Sequence, residues 1–341
     1  MTESTVTQRL SLNELTSRVE AVLRRAGLND EHVRAVSRVI VAGERDGAKA
    51  HGIHRLETCL SSLRARKVVP DAPVTIEDDK SSVIRVSANG GFACAALERG
   101  TPLLAERTQT AGVAALVVND AAHFSALWYE IEALTSFGVA ALAMCPNYAT
   151  VAPAGGHRPL LGTNPFAFGW PRTGRTPYVF DLATSVAARG ELELRRRRGQ
   201  DLPHGWAVGP DGSPTTDPAT ALVGAMLPFG GHKGSAIATM IELLAGPLIG
   251  DRTSVQALSA IGDTALVPTH GELIIAFDLD RLSRGRDAES AAERLFEAIV
   301  DQNARLPSER RFQARSVSVS QGVSLTDEEL SRLHDLAAED L

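Results

Sequence analysis

The sequence has few cysteines, few aromatic residues and no long apolar run. Its three cysteines, Cys59, Cys94 and Cys145, have no paired spacing, so we expect free thiols in a reducing cytoplasm rather than a disulfide framework. No Cys/His cluster has metal-ligand spacing, and we predict no metal. No apolar run approaches the roughly 20 residues of a membrane span, and the polar N-terminus lacks an apolar signal core.

The chain also lacks a strong excess of charge of either sign. Its net charge is -6 over 341 residues, which gives no reason to expect nucleic acid or an anionic membrane as a partner. Hydrophobic residues make up 44% and charged residues 22%, as in an ordinary globular protein. The length is sufficient for a large core and for two lobes.

A third absence concerns nucleotide binding. No GxGxxG motif follows a strand-like run, and the nearest glycine-rich stretch, PFGGHKG at 228–234, has a different spacing. A dinucleotide-binding protein with this sequence must therefore hold its cofactor on a backbone other than the Rossmann turn.

Apolar periodicity and capping residues predict helices at both ends of the chain and alternating strands and helices between them. The predicted helices are Ser11 to about Gly27, Asp30 to about Asp46, Arg55–Arg66, Ala93–Thr110, Gly234–Leu248, Ala288–Ala304 and Thr326–Ala338. Strand character occurs at Val74–Val86, at Ala111–Val118, at Val139–Met144 and at Glu272–Phe277. A stretch rich in Gly, Pro and Asp, Gly199–Ala221, predicts a long surface loop.

The segment HFSALW, 123–128, is the most informative stretch. It follows the apolar run Ala111–Val118 and a polar turn, and it precedes a predicted helix, Tyr129–Phe137. Backbone N–H groups at such a helix start are free to hold an anion such as a cofactor phosphate. A buried strand-to-helix turn with a hydrogen-bonded histidine is the structural alternative.

Four further segments have a similar character: AHGIHRL at 50–56, LGTNPFAFGWP at 161–171, FDLATSVAARGE at 180–191 and LPFGGHKGSA at 227–236. With HFSALW they resemble the signature blocks of the malate/L-lactate dehydrogenase family that does not use a Rossmann domain. The resemblance covers about residues 10–335 and is greatest to the Δ1-piperideine-2-carboxylate/Δ1-pyrroline-2-carboxylate reductase branch.

The resemblance implies an α/β fold. Its cofactor domain would be a largely antiparallel sheet flanked by helices, joined to a helical and mixed lobe that both termini form. The corresponding division is an N-terminal lobe at 1–121, an NAD(P)H-binding domain at 122–272 and a C-terminal return to the first lobe at 273–341. The family also implies a homodimer.

His51 occupies the position of the family's proton-donating histidine, and Arg55 lies four residues further on. If the stretch is helical, the two side chains share one face. Arg55 would then hold a substrate carboxylate in bidentate fashion while His51 serves the reacting atom. The structural alternative is a solvated helix face.

The family has a serine before that histidine and implies a relay of serine, histidine and an acid. Ala50 stands at the serine position here, and the acidic partner is carried over to Glu191. Because a methyl group makes no hydrogen bond, one orienting contact to His51 is predicted to be lost. A ketone reduction would suffer most, since a cyclic imine can arrive protonated, so this departure favours an imine substrate.

The resemblance also assigns the remaining contacts. Thr163 and Arg189 map onto substrate-contacting positions, with a turn residue and a surface ion pair as their alternatives. The cofactor-binding positions are His123, Phe124, Ser125, Ala126, Leu127, Asp181, Leu182, Ala183, His232, Lys233, Leu306, Pro307, Ser308, Glu309, Arg310, Arg311 and Phe312. Since Arg310 and Arg311 suit a 2′-phosphate, we expect NADPH rather than NADH. Ser308 replaces a glycine of the family pattern.

These observations predict a cytoplasmic, NADPH-dependent reductase that converts cyclic imine 2-carboxylates or related ketimine acids to L-proline, L-pipecolate or their analogues. One rival is an NAD(P)-dependent 2-hydroxy acid dehydrogenase of the malate, lactate or ureidoglycolate type. Another, prompted by Ala50, is a catalytically weakened dinucleotide-binding protein. The run Arg195–Arg198 is interpreted as a solvated helix face.

Overall fold

The computed structural model of the protein describes residues 7–338. Thirteen α-helices occur in this range: α1 Leu12–Arg25, α2 Asp30–Arg45, α3 His54–Arg64, α4 Ala93–Ala111, α5 Trp128–Ser136, α6 Arg189–Arg198, α7 Pro218–Val223, α8 His232–Ala245, α9 Ser254–Ile261, α10 Leu279–Ser283, α11 Ala288–Val300, α12 Glu309–Gln321 and α13 Asp327–Ala338. None of these helices has the length and apolar character that crossing a membrane requires.

The strands of the same range form three sheets. They are β1 Thr7–Leu10, β2 Thr75–Glu77, β3 Val83–Ser87, β4 Val113–Ala122, β5 Val139–Met144, β6 Phe166–Trp170, β7 Tyr178–Leu182, β8 Ala207–Val208, β9 Pro214–Thr215, β10 Ala225–Met226, β11 Thr269–Asp278 and β12 Val323–Thr326. The large sheet has seven strands in the order β2-β3-β4-β11-β5-β6-β7. All its pairs are antiparallel except β3 with β4, so the predicted α/β fold with a largely antiparallel sheet is confirmed.

Local sequence signals explain where the terminal helices begin. Ser11 and Glu14 form the predicted capping box of α1, and Asn29 caps α2 through the N–H of His32. Thr326 and Glu329 bond reciprocally at the start of α13. These contacts satisfy backbone groups that a helix start leaves without partners.

The two ends of the described chain meet. β1 pairs with β12 in an antiparallel ribbon, with Leu10 opposite Val323. Leu333 and Leu336 of α13 belong to the same buried core as residues of α1, α2 and α4. The large sheet crosses both predicted domain boundaries: β4 ends at Ala122, and the boundary at 272/273 lies inside β11. The division into domains stays a prediction.

The predicted loop at 199–221 differs from the structure. It contains β8, β9 and the start of α7, and β8 lies between β9 and β10 in the three-stranded sheet. Leu202 and Ala207 are buried in a separate small core together with Leu192 of α6. Glycine, proline and aspartate mark the turns between these elements, but the strands have only two residues each, too few for a visible period.

Candidate active site

His51 ends a short 3-10 turn, Lys49–His51, rather than lying within a helix. Gly52 follows with φ -91° and ψ -142°, which stops the helical path, and α3 begins at His54. The predicted helical face shared by His51 and Arg55 is therefore wrong. The two side chains nevertheless interact, because the charge of Arg55 lowers the pKa of His51.

Glu44 holds the turn that carries His51. Its buried carboxylate accepts a hydrogen bond from the Ile53 N–H at 2.9 Å and pairs with Lys49 Nζ at 2.5 Å. Two glycines permit this close packing. A Cβ on Gly52 would lie 2.0 Å from Glu44 Oε1, and one on Gly43 would lie 2.5 Å from the carbonyl oxygen of His51. A side chain at either position would displace the catalytic candidate.

The His51 ring reaches the HFSALW segment. The backbone of Phe124 interacts with the ring and partly opposes the fall in its pKa, while the Nδ1 atom has no hydrogen-bond partner. Burial lowers the pKa of His51 to about 4, and the charge of Arg55 contributes to the same direction. At neutral pH the imidazole is therefore uncharged. The Nε atom of Arg55 is also buried without a partner, so both groups keep polar atoms free for a ligand.

HFSALW connects β4 with α5, as the sequence pattern predicts. The N–H of His123 donates to the Pro268 carbonyl at 3.0 Å, and the N–H of Trp128 donates to Asp181 Oδ2 at 3.0 Å. Burial raises the pKa of Asp181 to about 6 although the backbone N–H groups and Arg311 oppose this shift. Asp181 thus supports the backbone of the segment that was predicted to hold the cofactor.

Two more predicted cofactor segments lie side by side. The N–H of Phe229 donates to the Thr184 carbonyl at 2.9 Å, which joins the end of FDLATS to PFGGHKG. Lys233 is exposed in the first turn of α8 and follows Gly230 and Gly231, which both have positive φ. An exposed lysine at a helix N-terminus is a suitable environment for a phosphate. His232 beside it and Leu182 of β7 are also exposed, whereas Ala183 is half-buried.

The last predicted cofactor segment, 306–312, packs against β7 and α5. Ser308 adopts φ 65° and donates a hydrogen bond to the Val179 carbonyl at 2.8 Å. The guanidinium of Arg311 lies 4.2 Å from the centre of the Trp128 ring, where a cation–π contact forms. Arg311 also pairs with Glu132 and with Asp46 of α2, whereas Arg310 is exposed.

Two residues that sequence reasoning missed, Asn147 and Tyr148, lie beside predicted substrate-binding residues. Asn147 Nδ2 donates to Thr163 Oγ1 at 3.3 Å. Burial raises the pKa of the Tyr148 hydroxyl, while Arg55 and Arg189 lower it, so both arginines act at this position. Arg189 is half-buried and donates to the Leu222 carbonyl at 3.2 Å.

Glu191 is not brought to His51. Within the described residues it pairs with Arg195 on the same helix, at 2.8 Å, and no hydrogen bond joins it to the histidine. Ala50 is exposed in the 3-10 turn. The predicted relay through these two positions stays a prediction, and the backbone of Phe124 is a group that acts on the pKa of His51 in this structure.

Comparison with known proteins identifies the family. Residues 10–334 match the model of the malate/L-lactate dehydrogenase family. The chain belongs to the malate/L-lactate dehydrogenase family. It is 59% identical over 333 residues to the Δ1-pyrroline-2-carboxylate reductase of Agrobacterium fabrum, covering 97% of this chain and 96% of that protein.

Two further relatives support this assignment. The Δ1-pyrroline-2-carboxylate/Δ1-piperideine-2-carboxylate reductase of Pseudomonas aeruginosa is 51% identical, covering 94% of this chain and 96% of that protein. The crystal structure of Δ1-piperideine-2-carboxylate reductase from Pseudomonas syringae pvar. tomato superposes with a TM-score of 0.92 at 38% identity, covering 96% of this chain and 99% of that one. The protein is therefore an oxidoreductase of this family, whose members use a nicotinamide cofactor.

Sequence reasoning missed the groups that support the family's site residues. Glu44 was visible as an acid within an apolar stretch of a predicted helix. Glu130 and Glu272, which are buried behind HFSALW, carried no pattern because they are 142 positions apart in sequence. Arg195, Arg196 and Arg197 form side-chain ion pairs with Glu191 and Glu193, and Arg198 is exposed, which agrees with the interpretation as a solvated face.

Proposed function

We propose that the protein is an NADPH-dependent reductase of cyclic imine 2-carboxylates, producing L-proline from Δ1-pyrroline-2-carboxylate and L-pipecolate from Δ1-piperideine-2-carboxylate. The observation that carries the proposal is the contact of His51, beside Arg55, with the HFSALW segment. The relative with 59% identity is a Δ1-pyrroline-2-carboxylate reductase, and the relative with 51% identity is a reductase of both imines.

The residues of the site fit a nicotinamide cofactor and an imino acid. A bound nicotinamide supplies a hydride to C2 of the substrate. The half-buried Arg55, whose buried Nε has no partner, would bind the substrate carboxylate, and the unpartnered Nδ1 of His51 is available for the substrate nitrogen. Asp181 and Thr184 hold the cofactor segments together, because they accept hydrogen bonds from the backbone N–H groups of Trp128 and Phe229.

The ionisation of His51 favours an imine over a ketone. A cyclic imine can arrive as an iminium, so its nitrogen already carries the proton that the product amine requires. A 2-oxo acid needs a proton delivered to its oxygen, and a histidine whose pKa lies at about 4 is a poor donor at neutral pH. The carboxylate of a bound substrate would offset the charge of Arg55 and raise the pKa of His51 from that value.

A direct assay tests this proposal. Oxidation of NADPH by the purified protein is followed with the two cyclic imines, pyruvate and oxaloacetate. We expect both imines to react faster than either 2-oxo acid. Faster turnover of a 2-oxo acid without an amine would favour the 2-hydroxy acid dehydrogenase, and cofactor binding without turnover of any substrate would favour the weakened dinucleotide-binding protein.

Of the two arginines predicted for the 2′-phosphate, the preference for NADPH is assigned to Arg310, and Lys233 is assigned to a cofactor phosphate. Both side chains are exposed, whereas Arg311 pairs with Glu132 and Asp46 through Nη1 and lies over the Trp128 ring, which leaves only its buried Nη2 without a partner. Arg310→Ala is expected to weaken binding of NADPH more than binding of NADH, because it removes a charge-assisted contact to the 2′-phosphate. Equal affinities of the unmodified protein for the two cofactors would contradict this assignment.

A cytoplasmic homodimer completes the proposal. α8 and the segment that follows it expose apolar side chains, with Leu243 58% and Leu248 64% accessible. A second copy would cover this surface. Light scattering is expected to show a dimer at low micromolar concentration and dissociation in Leu243→Glu. An active monomer would contradict the assembly.

A further inference from the structure

A cluster of ionisable side chains is buried directly behind the HFSALW segment. Glu272 of β11 and Glu130 of α5 are 1% and 2% exposed, and His123 and Ser125 of the segment itself are also buried. The groups that act on Glu272 come from several elements: His123, Glu130, Asp181 and Cys145. His270 lies beside His123, with the ring centres 5.4 Å apart. Arg55 is the cation that acts on His123, and it lowers the pKa of that histidine.

The contacts within the cluster form a chain. Glu272 Oε2 lies 3.1 Å from His123 Nε2, and Ser125 Oγ lies 3.4 Å from the same nitrogen. Ser125 also donates to Glu130 Oε1 at 3.2 Å. This series of contacts therefore connects β11 to α5 through His123 and Ser125 of the cofactor segment.

The cluster contains more acid than base. Burial lowers the pKa of His123 and of His270 to about 4, so both imidazoles are neutral near pH 7. Neither oxygen of Glu272 accepts a hydrogen bond, and the same holds for Glu130 Oε2. A buried carboxylate without a donor is costly, and it takes up a proton instead.

We propose that Glu272 and Glu130 are positioning residues for the cofactor segment, and that Glu272 carries a proton, which it donates to His123 Nε2. With this proton the Glu272–His123 contact becomes a neutral O–H···N hydrogen bond. Ser125 keeps its own hydrogen bond to Glu130, and its 3.4 Å approach to His123 Nε2 is then a packing contact without a shared hydrogen. Burial raises the pKa of Glu272 to about 8, and the charge of Asp181 adds to this shift. The inference rests on the proposed function, since it assigns the segment to the cofactor.

A divalent cation is the competing explanation. One ligand atom each from His123, Glu130 and Glu272 lies within 4.8 Å of the others, a set that a transition metal could also bind. The proton accounts for the same 3.1 Å contact without an additional ligand. Elemental analysis of the purified protein separates the two, because a stoichiometric metal that is lost in Glu272→Gln would overturn the proposal.

Glutamine at position 272 mimics a protonated carboxyl group and cannot ionise. The affinity for NADPH is measured by fluorescence titration from pH 6.5 to 9.5 for the unmodified protein, Glu272→Gln and Glu272→Ala. For the unmodified protein we expect Kd to rise about threefold to tenfold above pH 8, where Glu272 loses its proton. Glu272→Gln is expected to abolish this rise. At pH 7 Glu272→Gln should bind NADPH as tightly as the unmodified protein, whereas Glu272→Ala should bind it about threefold to tenfold more weakly.

Glu242→Gln is the matched control, because Glu242 is a buried carboxylate that accepts hydrogen bonds from Asn164 and Ser254. It should keep the alkaline rise in Kd. A pH profile of Glu272→Gln that equals that of the unmodified protein would overturn the proposal, as would a loss at pH 7 equal to that of Glu272→Ala. Absence of cofactor binding by the unmodified protein at every pH would instead contradict the proposed function.

Thermal unfolding tests the protonation of Glu272 in the absence of the cofactor. Below about pH 4.5 the carboxyl of Glu272 is protonated in both the folded and the unfolded chain. Between about pH 4.5 and 8 only the unfolded chain loses the proton, so the folded state loses stability relative to Glu272→Gln. The difference in midpoint temperature between the two proteins should grow over this interval and stay constant above it. A constant difference from pH 5 to 9 would overturn the proposal.

Discussion

The Arg55 guanidinium lies half-buried beside His51 and is the candidate partner of the substrate carboxylate. Arg55→Ala is expected to raise KM for a cyclic imine acid by the equivalent of roughly 2–5 kcal/mol, since a charged partner is lost. The cofactor should still bind. The same substitution removes a positive charge that lowers the pKa of His51, so any limb of the pH–rate profile that reports His51 should move to higher pH.

Arg55→Lys is the matched control for this test. Lysine keeps the charge but not the planar fork, so we expect an intermediate KM. Steady-state kinetics with one imine and fluorescence titration of NADPH measure the two effects separately. Unchanged KM in Arg55→Ala would show that another cation holds the substrate.

Ser308 stands where the family pattern has glycine, and its side chain affects the stability of the turn. It adopts the left-handed conformation, φ 65°, where most L-residues are strained, and its hydroxyl bonds to the Val179 carbonyl. Ser308→Ala should destabilise the protein by about 0.5–1.5 kcal/mol, since it loses the hydrogen bond and keeps the strain. Ser308→Gly loses the same bond but relieves about 1 kcal/mol of strain. Urea unfolding should therefore rank Gly above Ala, and the reverse order would contradict this account.

The element that presents His51 is the turn between α2 and α3. Gly52→Ala is expected to reduce kcat/KM roughly tenfold to a hundredfold, because the new Cβ would meet Glu44 Oε1 at 2.0 Å and move the turn. The variant should also be destabilised by roughly 1–3 kcal/mol. Steady-state kinetics and urea unfolding measure the two losses.

A double variant tests the route of this effect. In Gly52→Ala combined with Glu44→Ala the clash disappears, so the combined loss of stability should be smaller than the sum of the two single losses. Additive losses would show that Gly52 matters for a reason other than its packing against Glu44.

Capped helices and regular strands could be predicted from the sequence, because their signals are local. Ser11 with Glu14 and Thr326 with Glu329 identify helix starts that the structure confirms. The path at Gly52 could not be predicted, since it depends on a carboxylate that α2 brings into contact. The site follows the same division: the family motifs located the cofactor segments, whereas the buried acids behind them become neighbours only through the sheet.

An ionic cluster connects the N-terminal helices, α5 and the C-terminal part of the molecule. The buried carboxylate of Asp46 bonds to Arg45, Arg311 and Arg315, and Glu132 of α5 bonds to the last two. Burial raises the pKa of Asp46, but the hydrogen bonds from Arg315 and Arg45 outweigh it and hold the pKa below its usual value. The stability that this carboxylate contributes is therefore present above its unfolded pKa and is lost as the pH falls through the lowered pKa.

Asp46→Asn tests the cluster. We expect a loss toward the lower end of roughly 3–5 kcal/mol at pH 7, because the arginines keep part of their exposure to water. The loss should shrink as the pH falls below about 4, where aspartate in the unfolded chain takes up a proton before Asp46 of the folded chain does. Urea unfolding at pH 7 and pH 3 measures both, with the exposed Asp30→Asn as a control that should change stability by less than about 0.5 kcal/mol. Equal stability of Asp46→Asn and the unmodified protein would contradict the role.

The position of β11 in the large sheet has a consequence for biosynthesis. β4 and β5 flank β11 and do not pair with each other, yet β5 ends at Met144 and β11 begins only at Thr269. A nascent chain that leaves the ribosome from its N-terminus therefore carries two apolar strands with open edges for more than a third of its translation. The sheet can close only after residue 278 has emerged, so productive folding of this enzyme depends on protection of those edges until the last part of the chain has been made.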